Sequence, residues 1–307
     1  MTVQPDQVPA VNTTAGTAPP AEPFVVTQPG VYTGVPADTY HADPTPTGSL
    51  SSTGARKLLP PSCPALYRHW RDNPQPPKRE FDLGHAAHTL VLGAGPGIVE
   101  IKHDSWRTNA AKDAGKAARA AGKVPLLSAD YATVNAMAAA LREHPTAANL
   151  LRPVGGQPEL SLFWIDPETR IWCRGRTDWL DVSRPGRLIV PDYKTCASAA
   201  PDDLQKAIWD HGYGQQADWY LGGLRALGLA NADAQFVFIF QERRPPYLVT
   251  VAQPDPFALK VGAHLNREAR HLYRECVQSG RWPGYTDDVA LISLPGWVEN
   301  RYAKELM

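Results

Sequence analysis

Between Glu159 and Thr195 the chain passes through three short segments, ELSLFWID, IWCRGRTDWLDV and GRLIVPDYKT, rich in β-branched and aromatic residues. Turn residues at Pro167 to Thr169 and at Pro185-Gly186 separate them. Short runs of this composition favour a pleated, half-buried surface, so the three read as consecutive antiparallel strands. Upstream, FDLGHAAHTLVLG sets Leu83, Ala87, Leu90 and Val91 at helical spacing, and YATVNAMAAALREHP does the same with Val134, Met137, Ala138 and Leu141 before stopping near Pro145. Between them, residues 110–122 are rich in alanine and lysine and read as a surface helix or a mobile crossing. Downstream come helical DDLQKAIWDHGYGQQADWYLGGLRAL, two further strands in AQFVFIFQE and PYLVTVAQ, and a helix from about Pro256 to Gly280. Helix, three strands, helix, two strands, helix is an α/β order, a central mixed sheet flanked by helices.

The first 48 residues carry Pro, Thr, Ala and Gly with no sustained period and are expected to form a disordered arm. Structure is expected to begin at SLSSTGARKLLP, where Ser49, Ser51 or Ser52 caps a helix. Residues 49–307 then form one domain, with a C-terminal extension after about 280. The chain has 31 basic and 31 acidic residues, which gives no support for a strong overall positive field. The imbalance is local: no Lys or Arg precedes Arg56, and the chain from there on carries a net +4. No apolar run approaches the roughly 20 residues of a membrane span. The start, MTVQPDQVPA, has no export-signal pattern, and Cys63, Cys173, Cys196 and Cys276 are widely scattered. A reducing cytoplasm is the expected setting.

Chemistry concentrates at the strands. Asp192 and Lys194 stand two apart, so alternation puts them on one face and turns Tyr193 to the other. If the turn at Pro185-Gly186 pairs the last two strands, Asp178 approaches Asp192. Two converging carboxylates beside a lysine are costly unless a divalent cation holds them, and hard oxygen ligands suit magnesium or manganese. The Tyr193 carbonyl is available as a further ligand. Gln216 and Tyr220, at i,i+4, share one face of the following helix, with Tyr213 a turn earlier. His88 on its apolar helix reads as either a core histidine or a metal ligand. Among basic pairs that can follow a phosphate backbone (Arg56 with Lys57, Lys78 with Arg79, Arg243 with Arg244), Arg174 and Arg176 are preferred because they share the face of Asp178.

Taken together, His88, Gly175-Arg-Thr-Asp178, Asp192-Tyr-Lys194 and Gln216-Ala-Asp-Trp-Tyr220 resemble the PD-(D/E)XK nuclease superfamily, and within it the exonuclease VIII (RecE-type) enzymes of phages and prophages and the RecB nuclease domain. The likeness spans roughly residues 49–280 and is strongest from Glu159 to Tyr220. It implies a restriction-endonuclease-like core, with Asp178, Asp192, Lys194, Gln216 and Tyr220 in catalysis. His88, Asp178, Asp192 and the Tyr193 carbonyl would hold Mg2+, for which Mn2+ substitutes. His85 is the competing upstream histidine, while Glu159 and Glu242 belong to similar text without an assigned role. The implied activity is 5′-to-3′ digestion of linear double-stranded DNA in phage-type recombination, with a single-strand annealing protein as partner and a ring-like homo-oligomer. A structure-selective or nicking endonuclease and a non-catalytic DNA-binding or assembly protein are the alternatives. Relatives with an iron–sulfur cluster use four cysteines; only Cys196 and Cys276 follow Asp192 here, so no cluster is expected.

Overall fold

The computed structural model describes residues 24–74, 82–152, 155–183 and 186–306. Residues 1–23 of the expected arm, Lys78 and Arg79 lie outside them. The N-terminal part contains β1 (Gly30–Tyr32), α1 (Ala37–His41), β2 (Ser49–Ser51), α2 (Ser52–Leu58) and α3 (Pro64–Asp72). The middle contains α4 (Asp82–Leu92), β3 (Ile98–Ile101), α5 (Asn109–Ala120), β4 (Val124–Leu127), α6 (Ser128–Glu143) and α7 (Pro145–Leu150). The strand-rich part follows as β5 (Gln157–Ile165), β6 (Trp172–Leu180), β7 (Ile189–Cys196), α8 (Pro201–Asp210), α9 (Tyr213–Ala226), β8 (Gln235–Glu242) and β9 (Val249–Ala252). The chain closes with α10 (Pro256–Ser279) and α11 (Gly296–Leu306).

β5 and β6 pair antiparallel, as the turn at residues 167–169 predicts. The next strand departs from expectation. β7 pairs in parallel with β8, across the α8–α9 crossover, and makes no ladder with β6. Among the described strands the sheets are β1-β5-β6-β2, β7-β8-β9 and the small parallel pair β3-β4. Alternation along β8 explains the sandwich around it. Phe236, Phe238 and Phe240 project into one core with Trp219 of α9 and Tyr273 of α10. Ile239 points the other way, joining Tyr193 in a second core with Ala87 of α4 and Met137 and Leu141 of α6. A strand buried on both faces has no polar side, which accounts for the unbroken apolar run FVFIF.

The disordered-arm reading fails for residues 24–48. β1 adds to the edge of β5, and Val26, Val35 and Tyr40 close over Phe163, which is fully buried. Their cover removes an aromatic from water and satisfies an open strand edge, two gains that composition does not reveal. Ser51 caps α2 by accepting from the Gly54 amide at 3.1 Å, and residues 109–120 are a helix capped by Thr108. α9 and α10 touch at backbone distance: a Cβ at Gly262 would stand 2.3 Å from the Gly214 carbonyl oxygen. None of the described helices is long and apolar enough to cross a membrane.

Candidate active site

Two consecutive residues of α9 fix the strand that carries Asp178. Trp219 Nε1 donates to the Arg174 carbonyl at 3.0 Å and Tyr220 Oη donates to the Arg176 carbonyl at 2.9 Å. The Tyr220 ring lies so close to β6 that a Cβ on Gly175 would come within 3.0 Å of it. The glycine of GRTD therefore allows the helix to approach the strand. Tyr220 positions backbone here, and Trp219, 1% exposed, is a core residue.

Asp178 and Asp192 meet without a ladder between their strands. The Tyr193 amide donates to Asp178 Oδ2 at 2.7 Å, so this side chain spans the gap that strand pairing was expected to close. As alternation requires, the Tyr193 ring is buried on the far side, where its hydroxyl donates to Gln241 Oε1 at 2.6 Å. On the near side Lys194 Nζ lies 2.5 Å from Asp192 Oδ2, and Gln216 Nε2 donates to Asp192 Oδ1 at 2.8 Å. Asp178, Asp192, Lys194, Gln216, Tyr213 and Tyr220 line one cavity of about 390 Å³.

His88, projecting from α4, sets its Nε2 3.1 Å from Asp178 Oδ1 and its Nδ1 3.6 Å from Glu159 Oε1. Glu159 lies between the Pro158–Trp179 and Leu160–Thr177 pairs of the β5–β6 ladder, across from Asp178, and has a positive φ of 54°. Its part in the site was not assigned from sequence; the cross-strand position relative to Asp178 was the available signal. His88 thus touches the carboxylates from behind, and Glu242, the other unassigned acid, accepts from the Ala199 amide.

The charges divide the two aspartates. Burial, and then the neighbouring Asp178 charge, push Asp192 up to about 6, against the pull of Lys194. Burial also opposes the Asp178 charge, but His88, Lys194 and the Tyr193 amide outweigh it and hold that carboxyl below its ordinary value. His88 and Lys194 are both raised: burial works against their charge, but Asp178 with Glu159 prevails at His88, and Asp192 with Asp178 prevails at Lys194.

The donor chemistry fits a hard divalent cation. Two carboxylates converge at the cavity, and buried Asp192 Oδ2 contacts the Lys194 ammonium without a well-directed hydrogen bond. Among the described residues no three His, Cys, Asp or Glu side chains already form a metal cage. Lys194 and Gln216 contact the Asp192 carboxylate and His88 contacts that of Asp178.

The preferred phosphate-tracking residues turn their guanidinium groups into the protein, although Arg174 Nε is buried without a hydrogen-bond partner. Arg174 Nη1 lies 2.8 Å from Asp43 Oδ2 and donates to Ser49. Arg176 donates to Ser161 and to the Val35 carbonyl, and its guanidinium lies over the Tyr40 ring. Both side chains are 12% exposed. The same ordered N-terminal residues that close the sheet edge absorb these two cations.

No curated protein matches the chain. A solved structure described as "putative exonuclease" from Eubacterium rectale is 12% identical and covers 88% of this chain and 97% of its own, with a TM-score of 0.56, a likeness of fold. A second, described as SSO0001, is 12% identical over 66% of this chain and 85% of its own, at a TM-score of 0.27 that carries no argument. Residues 67–295 match the family described as "PDDEXK-like domain of unknown function". That match spans most of the chain, including Asp178, Asp192, Lys194 and Gln216, and the mixed α/β architecture is the restriction-endonuclease-like one. The chain belongs to this family of PDDEXK-like domains.

Proposed function

We propose that this protein is a divalent-metal-dependent deoxyribonuclease that digests linear double-stranded DNA from an end, removing the 5′-terminated strand. The carrying observation is the convergence of Asp178, Asp192, Lys194 and Gln216 at one cavity. Family membership supports a nuclease; the polarity and a place in phage-type recombination rest on the resemblance of the motifs to RecE-type enzymes.

Asp178, Asp192 and the Tyr193 carbonyl would hold Mg2+, which when bound supplies phosphoryl polarisation and a more acidic water. Gln216 fixes the Asp192 carboxylate through its 2.8 Å hydrogen bond. His88, with Glu159 behind it, orients Asp178. Lys194, beside Asp192 at the cavity, would orient the attacking water or neutralise charge that develops on the phosphoryl group. A ring-like homo-oligomer and a single-strand annealing partner belong to the same reading.

The test is digestion of a linear duplex labelled separately at each 5′ and 3′ end, beside a closed circle, with Mg2+ or EDTA and with Asp192→Ala. Loss of the 5′-labelled strand that needs an end, Mg2+ and Asp192 is the expected result. Cutting of the closed circle would move the assignment to an endonuclease, and folded protein that cuts neither would leave a DNA-binding or assembly role.

A further inference from the structure

With Arg174 and Arg176 turned inward, the cavity takes positive charge from another element. Besides the residues already described, it is lined by Ser52, Thr53 and Arg56 of α2, by His211 and Gly212, and by Gln215. Among the described residues that line it, the only acids are Asp178 and Asp192. α2 is a fixed platform, because Ser51 caps it and Ala55 and Leu58 are fully buried. Arg56 is further held by donating through Nη1 to the His211 carbonyl. That contact uses one of five guanidinium N–H groups, and no ion pair to a carboxylate engages Arg56 among the described residues. Gln215 is 5% exposed, yet its Nε2 has no hydrogen-bond partner.

A held arginine fork, two hydroxyl side chains and an unpartnered amide form a wall of donors beside a pair of carboxylates. An acidic peptide or metabolite would be repelled by Asp178 and Asp192. A phosphodiester chain can present one phosphate to a cation bound at the carboxylates and its neighbour to the donors. We infer that Arg56 binds the backbone phosphate adjoining the one presented to Asp178 and Asp192, an assignment that rests on the nuclease reading above. Arg56 then sets how far a strand advances into the cavity, while the carboxylate cluster acts on the next phosphodiester.

The experiment is equilibrium binding of a fluorescein-labelled duplex oligonucleotide to the full chain, with Ca2+ or EDTA, across a salt series. Arg56→Ala is expected to weaken binding about tenfold and to lower the salt slope by about one, the signature of a single lost phosphate contact. Arg56→Lys, which keeps the charge without the fork, is expected to restore the slope. A scan placing one uncharged methylphosphonate at each position near the end should find a site that weakens wild-type binding and leaves Arg56→Ala binding unchanged. Wild-type binding with an unaltered Arg56→Ala slope sinks the Arg56 assignment alone. So does a methylphosphonate profile shared by both proteins, or a slope that Arg56→Lys fails to restore. Wild-type protein that neither binds nor cuts DNA sinks the nuclease reading, and this assignment with it.

Discussion

Lowering the pH from 8 to 5 should weaken divalent-ion binding by about an order of magnitude, because a proton competes with the ion for Asp192. Burial and the nearby Asp178 raise the metal-free carboxyl to about 6. Apparent affinity then varies as one over one plus the ratio of protonated to ionised Asp192. It is nearly flat from pH 7 to 8, about twofold weaker at pH 6 and about tenfold weaker at pH 5, where a tenfold change is about 1.4 kcal/mol. Asp178, held below its ordinary value, adds little in that window. Calorimetric titration with Mn2+, repeated in buffers of different ionisation enthalpy, measures affinity and protons released together. About one proton at pH 5 and almost none at pH 8 are expected. A steeper dependence that falls to one proton in His88→Gln would add the imidazole to the ligand set. Affinity that is constant from pH 5 to 8, or an undiminished pH dependence in Asp192→Asn, would refute the reasoning. The same shift has a stability consequence. A folded-state acid raised from 3.8 binds its proton more tightly than the unfolded chain does, so metal-free stability falls as pH rises from about 4 through about 6. The cost at neutral pH is on the order of 3 kcal/mol, partly returned by the lowered Asp178 and raised Lys194.

Lys194→Met should lower DNA cleavage at least about 100-fold while leaving Ca2+-supported DNA binding measurable, since Lys194 touches Asp192 at the cavity; single-turnover cleavage beside a binding isotherm checks this. Gln241→Leu should cost about 2–4 kcal/mol by chemical denaturation, because Gln241 is fully buried and both accepts from Tyr193 Oη and donates to the Met137 carbonyl at 2.8 Å. Tyr220→Phe should cost about 1–2 kcal/mol by the same measurement, as it leaves the Arg176 carbonyl without its phenol donor. Gly175→Ala should destabilise by about 1–3 kcal/mol through the Tyr220 ring, and the cost should shrink in a Tyr220→Leu background if that contact is the cause.

The sequence alone determined what short-range geometry dictates. Strand alternation puts Asp192 and Lys194 together and sends Tyr193 away, and the helical repeat puts Gln216 and Tyr220 on the face of α9 that meets the sheet. Those relations follow from the periods of two and 3.6 residues and need no knowledge of distant chain. Tertiary structure decided which strands became neighbours and which charges became partners. β7 chose β8 over β6 because the α8–α9 crossover returns the chain in parallel, burying β8 on both faces, and the Asp178 side chain closed the resulting gap through the Tyr193 amide. Residues 24–48 looked like tether because their few apolar side chains show no period, yet Val26, Val35 and Tyr40 pack with Phe163 of β5. Their docking brought Asp43 to Arg174, 131 positions away in number, and the Val35 carbonyl to Arg176, whereas Arg56, further from the motifs in sequence, reached the cavity. A side chain's charge is written in the chain, but the atom that neutralises it depends on long-range packing, which local periodicity does not encode.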